Sequence, residues 1–352
     1  MDSLFFRVSP KDPLFEANYL TSVRWGLAGA VMIAHAWEVN DGIDPLGVYN
    51  WQASDLAVNG FFILSGMLIA KSLATRRHLG DYFKSRFLRL FPALALVVIA
   101  SLLFFGPVFS PASEGAFLKD SQAWAYVTRI FGLMDPRGEV AGAFSGNSEP
   151  HLNAPLWTIR FEVFCYILVG AAFAMGLLKN RLVVLGMFLV FSLISMTRFM
   201  PEHSFLSLAG YDFFRLTSAF LLGVLLFYVP ELRRPRLMIV LICAVLFLLF
   251  GRLWFSEIFA NVFLALGILY AGFYGRHIPS LAKLPDYSYG IYIWHYPILQ
   301  ALEYSVPSLQ SWQLLVVATP LVLICSGLSW HFAEKPALGL KNKKFLNVPK
   351  RL

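Results

Sequence analysis

Arg24 and His35 lie eleven residues apart within YLTSVRWGLAGAVMIAHAWEV, residues 19–39, a stretch long enough to cross a bilayer. Eleven residues make close to three helical turns, so the two side chains fall on nearly one stripe, roughly 16 Å apart along the axis. One helix face then offers a fixed cation and a titratable base to one channel, a pairing suited to anion docking and proton transfer. The same residues also fit a plainer arrangement, with Arg24 snorkelling to the interface and His35 hydrogen-bonded within the helix packing.

Three further groups carry chemistry. In DYFKSRFLRLFPAL, Arg86 and Arg89 stand three residues apart on one helix face. Two guanidinium groups so placed form a phosphate clamp, or else an ordinary positive flank. In NAPLWTIRFEVFCYIL, Arg160 and Glu162 follow Trp157 into a span. If that span starts near 155, Glu162 lies roughly 10 Å below the surface, at a depth similar to that of His35. A carboxylate there can hold an imidazole's tautomer, or form an ion pair with Arg160 or another helix. In LPDYSYGIYIWHYPIL, Tyr289, Tyr292 and Tyr296 recur at helical spacing around His295. That stripe suits a wall around a glycan or a thioester arm, with a second catalytic imidazole, and equally suits hydrogen bonds between helices.

The elements that position these residues are helices in lipid. The chain is 58% hydrophobic and 14% charged, with 33 Phe among 352 residues, and its mean hydropathy is +0.63. Apolar stretches recur at about 17–38, 55–74, 87–109, 155–178, 181–197, 213–229, 237–254, 258–274, 286–305 and 313–333, near the ~20 residues a span needs. The expected fold is all-α, a polytopic bundle of about ten transmembrane helices. No cleavable signal peptide is apparent in MDSLFFRVSPKDPLFEA, so the first helix serves as the insertion signal. Within the second span, NGFFILSGMLIA supplies Asn59, Gly60, Ser65 and Gly66, which permit close helix approach.

Orientation follows from charge. Arg7 and Lys11, the Arg76 to Arg89 cluster, Lys179 and Arg181, Arg233 to Arg236, Arg276 and Lys283, and the tail from Lys341 fall at alternate loops, while Glu38, Asp41, Asp44, Asp55 and the acids between Glu114 and Glu149 fall at the others, with Arg129 and Arg137 as exceptions. Positive loops stay cytoplasmic, which puts both termini inside and the 110–154 segment outside, with an amphipathic helix expected around 117–133. The net charge of +8 then reflects topology, and no nucleic-acid partner is implied. Cys165, Cys243 and Cys325 fall within spans without metal-ligand spacing and are expected to be buried thiols. No HExxH, paired-cysteine or Gly-rich phosphate loop supports a metal or a nucleotide hydrolase. A transporter or flippase also needs many helices and embedded charge, but no internal repeat is evident.

In this order, Arg-x10-His (Arg24, His35), NGFFILSGMLIA, Arg-x2-Arg (Arg86, Arg89), Trp-x4-Glu (Trp157, Glu162), SYGIYIWHYP and the closing HFAEKP with Glu334 resemble the membrane acyltransferase family 3, whose members O-acylate exported and cell-surface glycans. The resemblance covers most of the chain. It implies an acyltransferase domain over 1–334, a basic cytoplasmic tail over 335–352, and a membrane-only member without a fused hydrolase-like domain. By motif position, His35 is the expected catalytic histidine with Arg24 as its companion, Arg86 and Arg89 contact acetyl-CoA or another acyl-CoA, and Glu334 is a further essential carboxylate. Glu162 joins the catalytic set, and Trp157, Tyr289, Tyr292 and His295 are expected to touch substrate. Direct attack by a sugar hydroxyl and an acyl-imidazole intermediate both remain open. Expected partners are acyl-CoA, a glycan or lipid-linked saccharide, membrane lipids and, as an option, a second copy of the chain; no metal is expected. The setting implied is a bacterial inner membrane.

Overall fold

The computed structural model describes residues 15, 18–49, 51–76, 78–112, 114–197, 207–233, 235–253, 255–274 and 279–342. The basic residues Arg7, Lys11, Arg77, Arg234, Arg276 and those from Lys343 onward lie outside the described residues. Among the described residues the chain is helical without strands, its nearest approach to one being an isolated bridge between Val48 and Trp51.

The long helices are α1 (Leu20–Asp41), α2 (Ala53–Arg76), α3 (Leu79–Ala100), α4 (Ser121–Phe131), α5 (Ile159–Ala174), α6 (Arg181–Thr197), α7 (Ser207–Tyr228), α8 (Leu237–Phe250), α9 (Ser256–Leu269), α10 (Ser288–Ser305) and α11 (Ser311–Ser329). Six helical stretches among the described residues are long and apolar enough to cross a membrane: those built on α2, α3, α5, α7, α9 and α11. α6 and α8 are apolar but shorter. α1 and α10 have the length but too many polar groups, and they are the helices that carry His35 and His295. The apolar faces turned outward, such as Leu241, Ile242, Val245, Leu248 and Leu249 on α8, are exposed in the way a lipid-facing helix requires.

Prolines shape the spans. α3 and α11 each continue through a π turn, at Ser101–Phe105 and Trp330–Glu334, and each turn ends two residues before a proline, Pro107 and Pro336. Proline has no N–H and crowds the carbonyl four residues back, so the ladder widens there to keep its remaining bonds. Glu334 is thereby held on a bulge within a continuous helical path that runs on through Lys335–Gly339 and Leu340–Asn342. The interior Pro297 of α10 frees the carbonyl of Ile293, which accepts from Asn153 Nδ2 at 2.9 Å.

The tightest crossing joins α2 and α7. A Cβ on Gly66 would stand 2.0 Å from the Phe220 carbonyl oxygen, and one on Gly223 would stand 1.9 Å from that of Ile63. Only glycine fits there. The same helices share a buried polar cluster. Arg215 of α7 pairs with Asp55 at 3.0 Å and Asp212 at 2.9 Å, and donates to Asn59 at 2.8 Å. Asn59 donates in turn to Asn261 of α9 at 2.9 Å, and Glu257 accepts from Ser195 and Ser218.

The segment from Phe109 to Asn153 is packed against the bundle. Phe144 N donates to Phe109 O at 2.9 Å, and α4 begins at an Asp120 cap, later than the sequence pattern suggests. Cys165 is buried as expected, whereas Cys243 and Cys325 are only partly buried; all three are free thiols.

Candidate active site

Arg24, Arg89, Asp286 and Glu334 meet at the end of the bundle away from the long loop. Arg24 Nη1 and Arg89 Nη2 both donate to Asp286 Oδ2, at 2.8 and 2.7 Å, and Arg89 Nη1 stands 3.6 Å from Glu334 Oε2. Asp286 Oδ1 accepts from Ser288 at 2.7 Å. Glu334 is fully buried. Two guanidinium groups on one carboxylate oxygen are tolerable inside a membrane only because the opposed charges are this close. The Arg86 and Arg89 pair is therefore not a symmetric clamp. Arg89 is committed to carboxylates, while Arg86 enters none of these ion pairs; its Nε donates to Ser85 Oγ at 3.3 Å, and its guanidinium lies over the Tyr166 ring.

The three arginines border one cavity of about 90 Å³, which runs past Ser65, Glu162 and Tyr166 to Tyr289, Thr158, Phe61 and Tyr292. On this measure, where one water needs about 10–15 Å³, the cavity has room for several waters. Tyr289 and Tyr292 both line this cavity. Tyr292 is held in place there: its hydroxyl shares a hydrogen with Thr158 Oγ1 at 2.8 Å and meets the Pro155 carbonyl at 3.0 Å.

Glu162 sits elsewhere than its spacing suggests. It accepts from Tyr166 OH and, at 3.4 Å, from Ser65, facing the arginine cavity and no imidazole. Arg160 pairs instead with Asp135 of the long loop, at 3.1 Å. Residues two apart on a helix face away from one another, so Arg160 and Glu162 diverge. The chain also enters deeper than its apolar run indicates, because the turn Ala154–Thr158 is itself buried at Pro155, Leu156 and Thr158. Trp157, expected to touch substrate, does not border the cavity and is covered by the Arg137 guanidinium at 5.0 Å. In this loop, burial alone would raise the Asp135 carboxyl, but hydrogen bonds and charge from Arg137, with Arg160, outweigh it and hold the group below its ordinary range. The same hydrogen bond holds Arg137 above its ordinary value.

His35 lies toward the loop end of α1, and its partner is His295. Nδ1 of His35 and Nε2 of His295 are 2.7 Å apart, and His295 Nδ1 lies 3.0 Å from the Ile291 carbonyl. On its other side, His35 Nε2 is 3.6 Å from Glu38 Oε2. Spacing within single helices did not reveal the residues that unite these centres. Asp286 directly precedes the SYGIYIWHYP motif, and Glu38 is one turn beyond His35; those positions are the signals that point to them. Among the described residues no three His, Cys, Asp or Glu side chains cluster as a metal site would require.

Comparison with known proteins identifies the family. The sequence model of a family described as "Acyltransferase domain" matches residues 18–331. An "O-acetyl transferase" of Shigella phage Sf6 is 23% identical over 94% of this chain and 99% of that protein. "Nodulation protein 10" of Rhizobium leguminosarum bv. viciae is 24% identical over 92% of this chain and 94% of its own. No solved structure matches. With the family's model covering the spans that hold Arg24, His35, Arg86, Arg89 and Glu162, the chain belongs to the membrane acyltransferase family 3.

Proposed function

We propose that this chain moves an acetyl group from cytoplasmic acetyl-CoA, or another acyl group from its CoA thioester, to a hydroxyl of an exported or cell-surface glycan such as an exopolysaccharide or a lipid-linked saccharide. In this reading the bundle spans a bacterial inner membrane about ten times with both termini cytoplasmic, and the long loop and Glu38 face outward. The observation that carries it is the pair of unlike centres at opposite ends of α1: an arginine-rich passage at one end and a paired imidazole at the other. The name of the Shigella phage relative supports O-acetyl transfer.

The nucleotide docks at the cytoplasmic mouth of this passage, where Arg86, of the three arginines that line it, is the one outside the carboxylate ion pairs. Arg89 and Arg24, fixed by Asp286 and Glu334, give that mouth its shape and positive field. The thioester arm threads inward past Glu162 and Tyr289, and displacement of Tyr292 opens the way to His35. His35 takes the proton of the acceptor hydroxyl as the oxygen attacks the thioester carbon. The C–O bond forms, the C–S bond breaks, and the proton passes to the departing sulfur, giving free CoA thiol and the ester. The acyl-imidazole route uses the same nitrogen as nucleophile.

Acceptor-dependent release of CoA by the purified protein tests the reading. Because a hydrogen bond to a charged group contributes about 1.5–3 kcal/mol, Arg86→Ala is expected to raise the acyl-CoA KM about 10- to 100-fold, and Arg86→Lys to restore only part of it. The acceptor KM stays near its wild-type value. Passage of unmodified glycan without CoA release would replace the enzyme with a flippase.

A further inference from the structure

The two histidines are joined edge to edge. Their ring planes differ by 4° and their centroids are 5.0 Å apart, roughly the 2.7 Å nitrogen separation plus the two ring radii, so donor hydrogen and lone pair point straight at one another. Which ring donates follows from the far end of the chain of bonds. The Ile291 carbonyl can only accept, so His295 Nδ1 carries a hydrogen. His295 is fully buried with no carboxylate in contact among the described residues, and a charged ring there would lack a counter-ion. The neutral ring with Nδ1 protonated has a bare Nε2. That lone pair can be satisfied only by a hydrogen on His35 Nδ1.

We propose that His295 is a positioning residue: by accepting from His35 Nδ1 it fixes His35 in the Nδ1–H tautomer and leaves Nε2 as the bare nitrogen turned toward Glu38. This rests on His35 being the base of the proposed transfer. The nitrogen is where an acceptor would need it, since the His35 side chain retains 14% exposure and Glu38 23%, whereas His295 has none. Glu38 Oε2 at 3.6 Å and the bare Nε2 are both acceptors, so a sugar hydroxyl approaching beside them can donate to Nε2. Once Nε2 takes that proton, Glu38 faces the imidazolium as its counter-ion. Without His295 the preference reverses. The hydrogen moves to Nε2, where it can bond Glu38, and the base is occupied before the acceptor arrives.

Two variants and two readouts test this on the full-length protein in nanodiscs. In H295Q the Gln amide oxygen reaches about as far as Nε2 and still accepts, while H295L cannot. Nitrogen-15 spectra of histidine-labelled protein, with H35Q to assign the signal, are expected to show His35 protonated at Nδ1 in the wild type and H295Q, and at Nε2 in H295L. Turnover of H295L is expected to fall about 10²- to 10⁴-fold in kcat with an unchanged acyl-CoA KM, and H295Q to recover most of it. A wild-type His35 protonated at Nε2 with a bare Nδ1 overturns the proposal, and that spectrum decides even where H295L fails to assemble. An H295Q as inactive as H295L, though folded and still Nδ1-protonated at His35, also overturns the positioning role. A wild type that shows the Nδ1–H tautomer but transfers no acyl group would instead remove the proposed function and leave the tautomer assignment standing.

Discussion

His35→Ala lowers acyl transfer about 10²- to 10⁴-fold, the range that general acid–base catalysis supplies, while the protein still assembles and binds acyl-CoA. Binding survives because the arginine passage lies near the opposite end of α1 and is built from residues that do not touch the imidazole. Glu38 does not substitute. Its carboxylate is 3.6 Å from His35 Nε2 and also accepts from Ser54 at 3.4 Å, which suits a counter-ion better than the base itself. The measurement is single-turnover formation of acylated glycan alongside equilibrium binding of acyl-CoA. Near-normal transfer by His35→Ala would take the histidine out of the mechanism.

Asp286→Ala has the largest effect on assembly. One carboxylate oxygen holds both Arg24 and Arg89, and its removal leaves two half-buried guanidinium groups with Glu334 as the remaining carboxylate of the network, 3.6 Å from Arg89. Breaking a fully buried pair by deleting one partner costs about 3–5 kcal/mol, which is the upper bound for this half-buried cluster. Asp286 also joins α1 and α3 through those arginines, so the loss is expected to loosen the passage, and thermal unfolding in detergent and acyl-CoA affinity should fall together. Arg89→Lys should lie between wild type and Asp286→Ala, since an ammonium cannot present a fork to Asp286 and Glu334 at once. An unaltered melting temperature for Asp286→Ala would mean that the cluster is wetter and weaker than its distances indicate.

How far the sequence anticipates this arrangement depends on the range over which each interaction acts. Helix positions follow from hydropathy, because lipid forces backbone groups to pair within their own segment. The placement of Arg24 and His35 toward opposite ends of one helix follows from α-helical rise alone. Both are local. What fails is the assignment of partners across helices: Glu162 seemed a match for His35 by depth, but a buried turn before α5 displaces it to the arginine passage. Hydrogen bonding between helices is one of the readings open for His295, but its partner lies 260 positions away in the sequence. Asp286 is separated from Arg24 by 262 positions and sits just before a helix. No periodicity within one segment encodes such pairings; they arise from how α1, α3 and α10 pack. The committed state of Arg89 is likewise invisible in an Arg-x2-Arg spacing, which treats its two arginines alike.

The most direct test of the account is the sidedness of transfer in oriented proteoliposomes. Labelled acetyl-CoA is supplied only on the face bearing the C-terminal tail, and a candidate glycan only on the face bearing the 109–153 loop. CoA thiol is expected on the tail side and labelled ester on the opposite side, with both absent in His35→Ala. Ester formed only when donor and acceptor share one face would contradict it.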